Sequence, residues 1–158
     1  MYRILQLLEQ DARLAPKRIA EILDMTEEDV IRKIKAYEDS NVILGYKTMI
    51  DWEKTPKETV TALIEVRVSP QKGMGFDELA RRINNYPQVQ NLYLMSGGFD
   101  FTVVITGRSL LEVSRFVSEN LATMENVIST STHFVLKKYK DAGVDFNPTD
   151  EREDFRNA

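Results

Sequence analysis

The sequence contains no cysteine. That excludes disulfides, thiol nucleophiles, thiolate zinc sites and iron–sulfur clusters together. Histidine occurs once, as His133, which leaves no histidine metal site and no acid–base pair of histidines. No apolar run approaches the roughly 18 residues that span a bilayer. Glu9 and Asp11 interrupt any apolar leader segment near the start. The chain shows no Ser-His-Asp set, no phosphate loop and no cluster with metal-ligand spacing. These absences predict a cytoplasmic protein that is not an enzyme and has no cofactor, no metal, no catalytic residue and no membrane partner.

What is present is the balance of an ordinary globular chain: 42% apolar and 29% charged residues over 158 positions. That length fits one domain or two small ones. The net charge of −4 is unevenly placed, because two of the 21 basic and six of the 25 acidic residues follow residue 140. Residues 1–140 are therefore neutral, with 19 of each sign. Residues 141–158 read as a solvated acidic extension, with a short helix expected after Pro148. Global charge does not decide whether nucleic acid is a partner; local clustering must.

The first fifty residues carry three short helical patterns. Ile4, Leu5 and Leu8 form one stripe, and Ile19, Ile22 and Leu23 form the next behind Pro16, which suits a first helical turn. Asp24-Met25-Thr26 makes a short turn, Thr26 and Asp29 resemble a capping pair, and Val30, Ile34 and Tyr37 line a third helix ending near Ser40-Asn41. Three such helices with a tight second turn are a helix-turn-helix. Arg32, Lys33 and Lys35 lie opposite the apolar stripe of the third helix, where that motif meets bases and phosphates. Lys17 and Arg18 open the second helix within reach of a backbone. Glu28 and Asp29 suit the helix dipole, repel phosphates, and can accept from cytosine N4. Tyr46, Thr48, Ile50 and Trp52 alternate with Lys47, Met49 and Asp51, the pattern of a strand and a candidate wing with Lys47 facing outward. Trp52 itself reads as core. A small helical module whose cations are merely solvated fits the same residues.

Residues 53–58 have linker composition. Beyond them, Val60, Ala62, Ile64, Val66 and Val68 alternate as a strand. Phe76, Leu79, Ala80 and Ile83 mark a helix that stops before Pro87. Val89 to Met95 form a second strand, and Phe99, Phe101, Val103 and Ile105 a third. Ser109 and Glu112 make a capping box ahead of a Leu110, Val113, Val117, Leu121 stripe. Val127 to Lys138 form a long last strand. The order strand-helix-strand, strand-helix-strand is the ferredoxin-like double unit. Its helices cover one face of the sheet. The other presents Thr61, Leu63, Glu65 and Arg67 beside Asp100, Thr102, Val104 and Thr106, a mixture that suits a two-fold dimer packed sheet on sheet, or a half-wet sheet. Ser96-Gly97-Gly98-Phe99-Asp100 reads as a hairpin turn whose glycines supply positive φ. Exposed glycine N–H groups can also receive a carboxylate and Asp100 an ammonium group, the two ends of an amino acid. His133, with Ser129, Ser131 and Val135 on its face, reads as structural.

The order of these blocks resembles the Lrp/AsnC family of leucine-responsive and asparagine-type "feast/famine" regulators. The resemblance is carried by Ile4-Leu5-Gln6-Leu7-Leu8, Ile19-Ala20-Glu21-Ile22-Leu23, Val30 with Arg32-Lys33-Ile34, Val42-Ile43-Leu44-Gly45-Tyr46 and Gly97-Gly98-Phe99-Asp100-Phe101. It implies an α+β chain: an N-terminal winged helix-turn-helix bound to double-stranded DNA (1–52), a linker (53–58), a ferredoxin-like βαββαβ domain (59–140) and the acidic extension (141–158). It also implies a homodimer that assembles into tetramers, octamers or larger discs, with a small-molecule effector, often an amino acid, near the glycine turn. Ser96, Gly97, Gly98, Phe99 and Asp100 are the effector candidates; Arg32, Lys33, Lys35, Lys17, Arg18, Lys47, Glu28 and Asp29 are the DNA candidates. Glu27-Glu28-Asp29 stands where the family's reading helix usually opens on serine, threonine or proline. That departure keeps a second function in view, an amino-acid sensor or assembly factor with little DNA affinity. A third is an enzyme resembling sirohaem decarboxylases, for which His133 is the sole candidate.

Overall fold

The computed structural model describes residues 2–69 and 75–146. They fall into two compact units divided between Ile50 and Asp51. Among the described residues no helix is long and apolar enough to cross a membrane.

The first unit holds α1 (Arg3–Gln10), α2 (Pro16–Leu23) and α3 (Glu27–Asp39). Ile4, Leu8, Ile19, Ala20 and Val30 form its buried core, with Leu7, Leu14, Leu23, Met25, Ile34 and Ile43 packed around them. Ile22, expected in this stripe, is 42% exposed. At about 100° per residue it falls some 60° outside the arc spanned by Ile19, Leu23 and Ala20. Asp24 ends α2 in the left-handed region at φ +53°, a conformation that a short polar side chain tolerates. The Met25 N–H reaches back to the Ala20 carbonyl at 3.0 Å. Thr26 then caps α3, its Oγ1 accepting the Asp29 N–H at 3.2 Å. The three-residue turn thus fixes α3 against α2.

The expected wing is not a strand. Residues 44–51 pair with no strand among those described, although Tyr46 is tied to α3 by donating its hydroxyl to Glu38 at 3.0 Å. Partial burial first, then this hydrogen bond and the Glu38 charge, push the Tyr46 phenol above its ordinary range. Period-two alternation makes a strand only where another edge satisfies its backbone. Trp52–Lys54 forms a single 3₁₀ turn instead. Trp52, expected in the core, is 40% exposed and carries the Lys57 ammonium 4.0 Å from its ring centroid.

The second unit contains β1 (Val60–Val68), α4 (Phe76–Asn84), β2 (Val89–Leu94), β3 (Phe101–Gly107), α5 (Leu110–Phe116) and β4 (Val127–Phe134). The sheet order is β2-β3-β1-β4, and every pairing is antiparallel. This is the ferredoxin-like arrangement. Ala62, Ile64, Val66 and Val68 from β1 and Phe101, Val103 and Ile105 from β3 bury against Leu79, Ile83, Val113, Phe116, Val117 and Leu121. Leu110, expected at the head of the α5 stripe, is exposed; that stripe starts at Val113 and continues through a π turn over Val117–Leu121. β4 stops at Phe134 rather than at Lys138. Phe134 lies opposite Ala62 and the Val135 N–H still reaches the Thr61 carbonyl, but β1 begins at Val60, so Lys137 and Lys138 fall beyond its first residue. The chain beyond 140 does not begin as solvated tail: β5 (Lys140–Asp141) and β6 (Val144–Asp145) form a hairpin. Its turn places Ala142 and Gly143 at φ +44° and +82°, the positive pair that a tight hairpin requires. The helix expected after Pro148 lies outside the described residues.

Thr26→Ala should cost about 1 kcal/mol through loss of the cap, and Ile64→Ala about 2–5 kcal/mol through the cavity it leaves. Urea denaturation of each variant measures both.

Candidate functional site

The polar face of α3 is built by its own periodicity. Val30 and Ile34 turn toward the core, so Arg32, Lys33 and Lys35 are exposed. The helix opens on three acids, Glu27, Glu28 and Asp29. Arg32 hydrogen-bonds Asp29 one turn back, Lys35 reaches Asp39 at 3.0 Å, and Arg18 on α2 reaches Glu21 at 2.8 Å. Among the described residues Lys17, Lys33 and Lys47 make no ion pair. Exposed pairs of this kind are worth about 0–1 kcal/mol, so a phosphate can replace the internal carboxylate at small cost. Glu28 is exposed and unpaired among the described residues. The structure therefore gathers Arg32, Lys33 and Lys35 on one helix, with Lys17 and Arg18 on α2. Lys47 sits in the irregular segment rather than on a wing.

The glycine turn joins β2 to β3. The Met95 N–H donates to the Asp100 carbonyl at 2.8 Å and the Asp100 N–H to Val66 at 3.0 Å. The Asp100 carboxylate accepts the Val68 N–H at 2.8 Å, and the Arg67 Nε donates to the Gly98 carbonyl at 2.8 Å. These bonds moor the turn to the end of β1, a partnership between distant segments that sequence spacing does not reveal. Neither Gly97 nor Gly98 has positive φ, contrary to the hairpin expectation. A five-residue loop from Ser96 to Asp100 has the length to reverse the chain without left-handed residues. What the two glycines provide is open backbone: a Cβ at either would touch nothing within 4 Å, and their N–H groups have no partner among the described residues. Ser96 is exposed and Phe99 half-buried.

The uncovered sheet face is formed by Thr61, Leu63, Glu65 and Arg67 on β1 and Thr102, Val104 and Thr106 on β3. Register adds two side chains to it, Tyr93 opposite Thr102 and His133 opposite Leu63. The His133 Nε2 lies 3.4 Å from the Glu65 carboxylate and 3.4 Å from the Ser131 hydroxyl. It is thus a member of a cross-strand polar row. Among the described residues no group of three or more His, Cys, Asp or Glu side chains is placed to hold a metal.

Comparison with known proteins gives three kinds of match. The model of the Lrp/AsnC ligand binding domain matches residues 61–145. A Bacillus subtilis protein named as an uncharacterized HTH-type transcriptional regulator, YugG, is 44% identical over 149 residues, covering 94% of this chain and 90% of its own. The leucine-responsive regulatory protein of Rhizobium meliloti is 26% identical over 140 residues, covering 89% of each chain. Among solved structures, a transcriptional regulator from Neisseria meningitidis in complex with L-Met superposes with a TM-score of 0.71 at 22% identity, over 87% of this chain and 88% of that one. At that identity the likeness shows shared fold.

Asp100→Ala should lower stability by about 1–3 kcal/mol, because it strands the Val68 N–H. Thermal melting measures the loss, and an unchanged melting temperature would mean the turn is not held by this carboxylate.

Proposed function

The chain belongs to the Lrp/AsnC family, and from that membership we propose that it is a DNA-binding transcriptional regulator whose assembly or DNA affinity responds to a small effector. The observation that carries this is the exposed cationic face of α3 within a three-helix unit of helix-turn-helix form. Arg32 and Lys33 contact DNA from α3, and Lys35, Lys17, Arg18 and Lys47 contact phosphates. A homodimer closes the uncovered sheet face two-fold, sheet on sheet, and further contacts between dimers build larger assemblies. Two copies of α3 then meet the duplex about 10–10.5 base pairs apart or at a multiple of that spacing. The effector is an amino acid, its carboxylate received by the free N–H groups of Gly97 and Gly98, between Ser96 and Phe99. Asp100 keeps one carboxylate oxygen on Val68 and offers the other to the ammonium group. Such an effector acts by binding one assembly more tightly than another.

The acids that open α3 favour a second reading, an effector-responsive assembly factor with little DNA affinity. Salt dependence separates the two, since each phosphate contact contributes about −0.9 to the slope of log K against log salt. We expect Arg32→Ala and Lys33→Ala each to weaken binding to DNA from the protein's own upstream region and to flatten that slope by about one unit. The oligomeric state should not change. Asp29→Asn should tighten binding roughly 2–5-fold, because Arg32 is released from an exposed pair worth under about 1 kcal/mol. Fluorescence anisotropy at two salt concentrations measures all three variants. Wild-type affinity in both cation variants would remove α3 from the interface.

A further inference from the structure

His133 is the one histidine of the chain, and neither the DNA face nor the glycine turn uses it. It stands on the uncovered face of the sheet, on β4 opposite Leu63. Its Nε2 lies 3.4 Å from a Glu65 carboxylate oxygen and 3.4 Å from the Ser131 hydroxyl. Glu65 sits opposite Ser131, so the contact runs diagonally between neighbouring strands, within reach of long side chains. Glu65 has no other ion-pair partner among the described residues.

The other charges of the face are engaged elsewhere. Arg67 lies opposite Ser129, about 14 Å along β1 from Leu63 at about 3.4 Å per residue. It donates to the Gly98 carbonyl at 2.8 Å, at the turn where the Asp100 carboxylate accepts the Val68 N–H. Farther along the chain from His133, the Lys137 ammonium sits over the Tyr139 ring. β3 contributes Thr102, Val104 and Thr106, none of them titratable, and β2 contributes the Tyr93 phenol. Arg67 and Asp100 offset each other at the turn end of the face. Glu65 and His133 are left to balance at the other. With the imidazole neutral, each copy of the face carries one uncompensated negative charge; with it protonated, none.

In the open chain, water screens that charge. The two side chains are 57% and 41% exposed, and a pair so placed contributes little. A second copy laid on the face removes the water, and a carboxylate closed into an interface without a countercharge is strongly disfavoured. Two-fold symmetry doubles the effect, because the mate brings its own Glu65 and His133.

We propose that His133 is a proton-operated latch on self-association: protonation of its imidazole beside Glu65 favours the sheet-on-sheet dimer, and loss of the proton loosens it. The inference rests on the proposed dimer and adds what controls it. An imidazole ordinarily exchanges its proton at about pH 6.5, so assembly, and with it the spacing of two α3 copies on DNA, responds to acidity just below neutrality. The sign follows from linkage. The state that prefers the protonated base binds more protons, so its advantage is present at low pH and lost as the pH rises.

Sedimentation equilibrium of the full chain at about pH 6 and about pH 8 tests this. Subunit exchange between donor- and acceptor-labelled copies is the readout if the dimer is too tight to dissociate. The wild-type dimer should be about tenfold or more weaker at the higher pH. His133→Gln should flatten that dependence and hold the dimer near its weaker affinity. Glu65→Gln should instead strengthen the dimer at the higher pH, because it removes the uncompensated charge, which loss of a merely structural contact does not do. Equal wild-type affinity at both values, full pH dependence in His133→Gln, or a weaker Glu65→Gln dimer at the higher pH overturns the latch and leaves the dimer standing. A chain that stays monomeric at every pH and concentration, or a dimer indifferent to Leu63→Glu, overturns the sheet-on-sheet dimer and the latch with it.

Discussion

The one-sided burial of β1 is the constraint on which the C-terminal unit depends. β1 is central, paired with β3 on one side and β4 on the other. Its odd and even residues therefore have different duties. Ala62, Ile64 and Val66 are wholly buried, and burying each large aliphatic side chain contributes about 1.5–3 kcal/mol. A one-residue slip would turn this set outward and drive Glu65 and Arg67 into the core. Register is thus fixed by cost, and that fixes which residues the uncovered face displays. The same strand moors the glycine turn, through Val66, Arg67 and Val68. Core, open face and turn follow from one alternation.

In the N-terminal unit the controlling term is local charge. The three acids opening α3 favour the helix, because carboxylates suit its positive end. They also occupy Arg32, so the residues that stabilise the helix compete with a phosphate for its cations. The competition is mild because the pairs are exposed and screened. Lys33 and Lys17, without such partners, carry the least penalty on meeting an anion.

Much of this architecture was legible in the sequence. The alternation of Val60 to Val68, the capping residues Thr26 and Ser109, and the stop before Pro87 are local signals with local causes, and each matches an observed element boundary or cap. Errors arose where a pattern needed something distant. Tyr46 to Trp52 alternates as a strand would, but alternation cannot supply a partner edge. The end of β4 is set by where β1 begins, some seventy residues earlier. Ile22 missed the core by a fraction of a helical turn. At the candidate sites, residue types were readable on α3 because a helix displays them in fixed order. The mooring of Gly98 by Arg67 and of Val68 by Asp100 was not, because those bonds span about thirty residues.

The proposed function joins a charged reading helix to a paired sheet that sets the spacing between two such helices. Hydroxyl-radical footprinting of the full chain on its own upstream DNA tests that union most directly. Protected patches on one face of the duplex, recurring at about 10–10.5 base pairs or a whole multiple, are the predicted result. A single isolated patch, or no protection even at low salt, would contradict it.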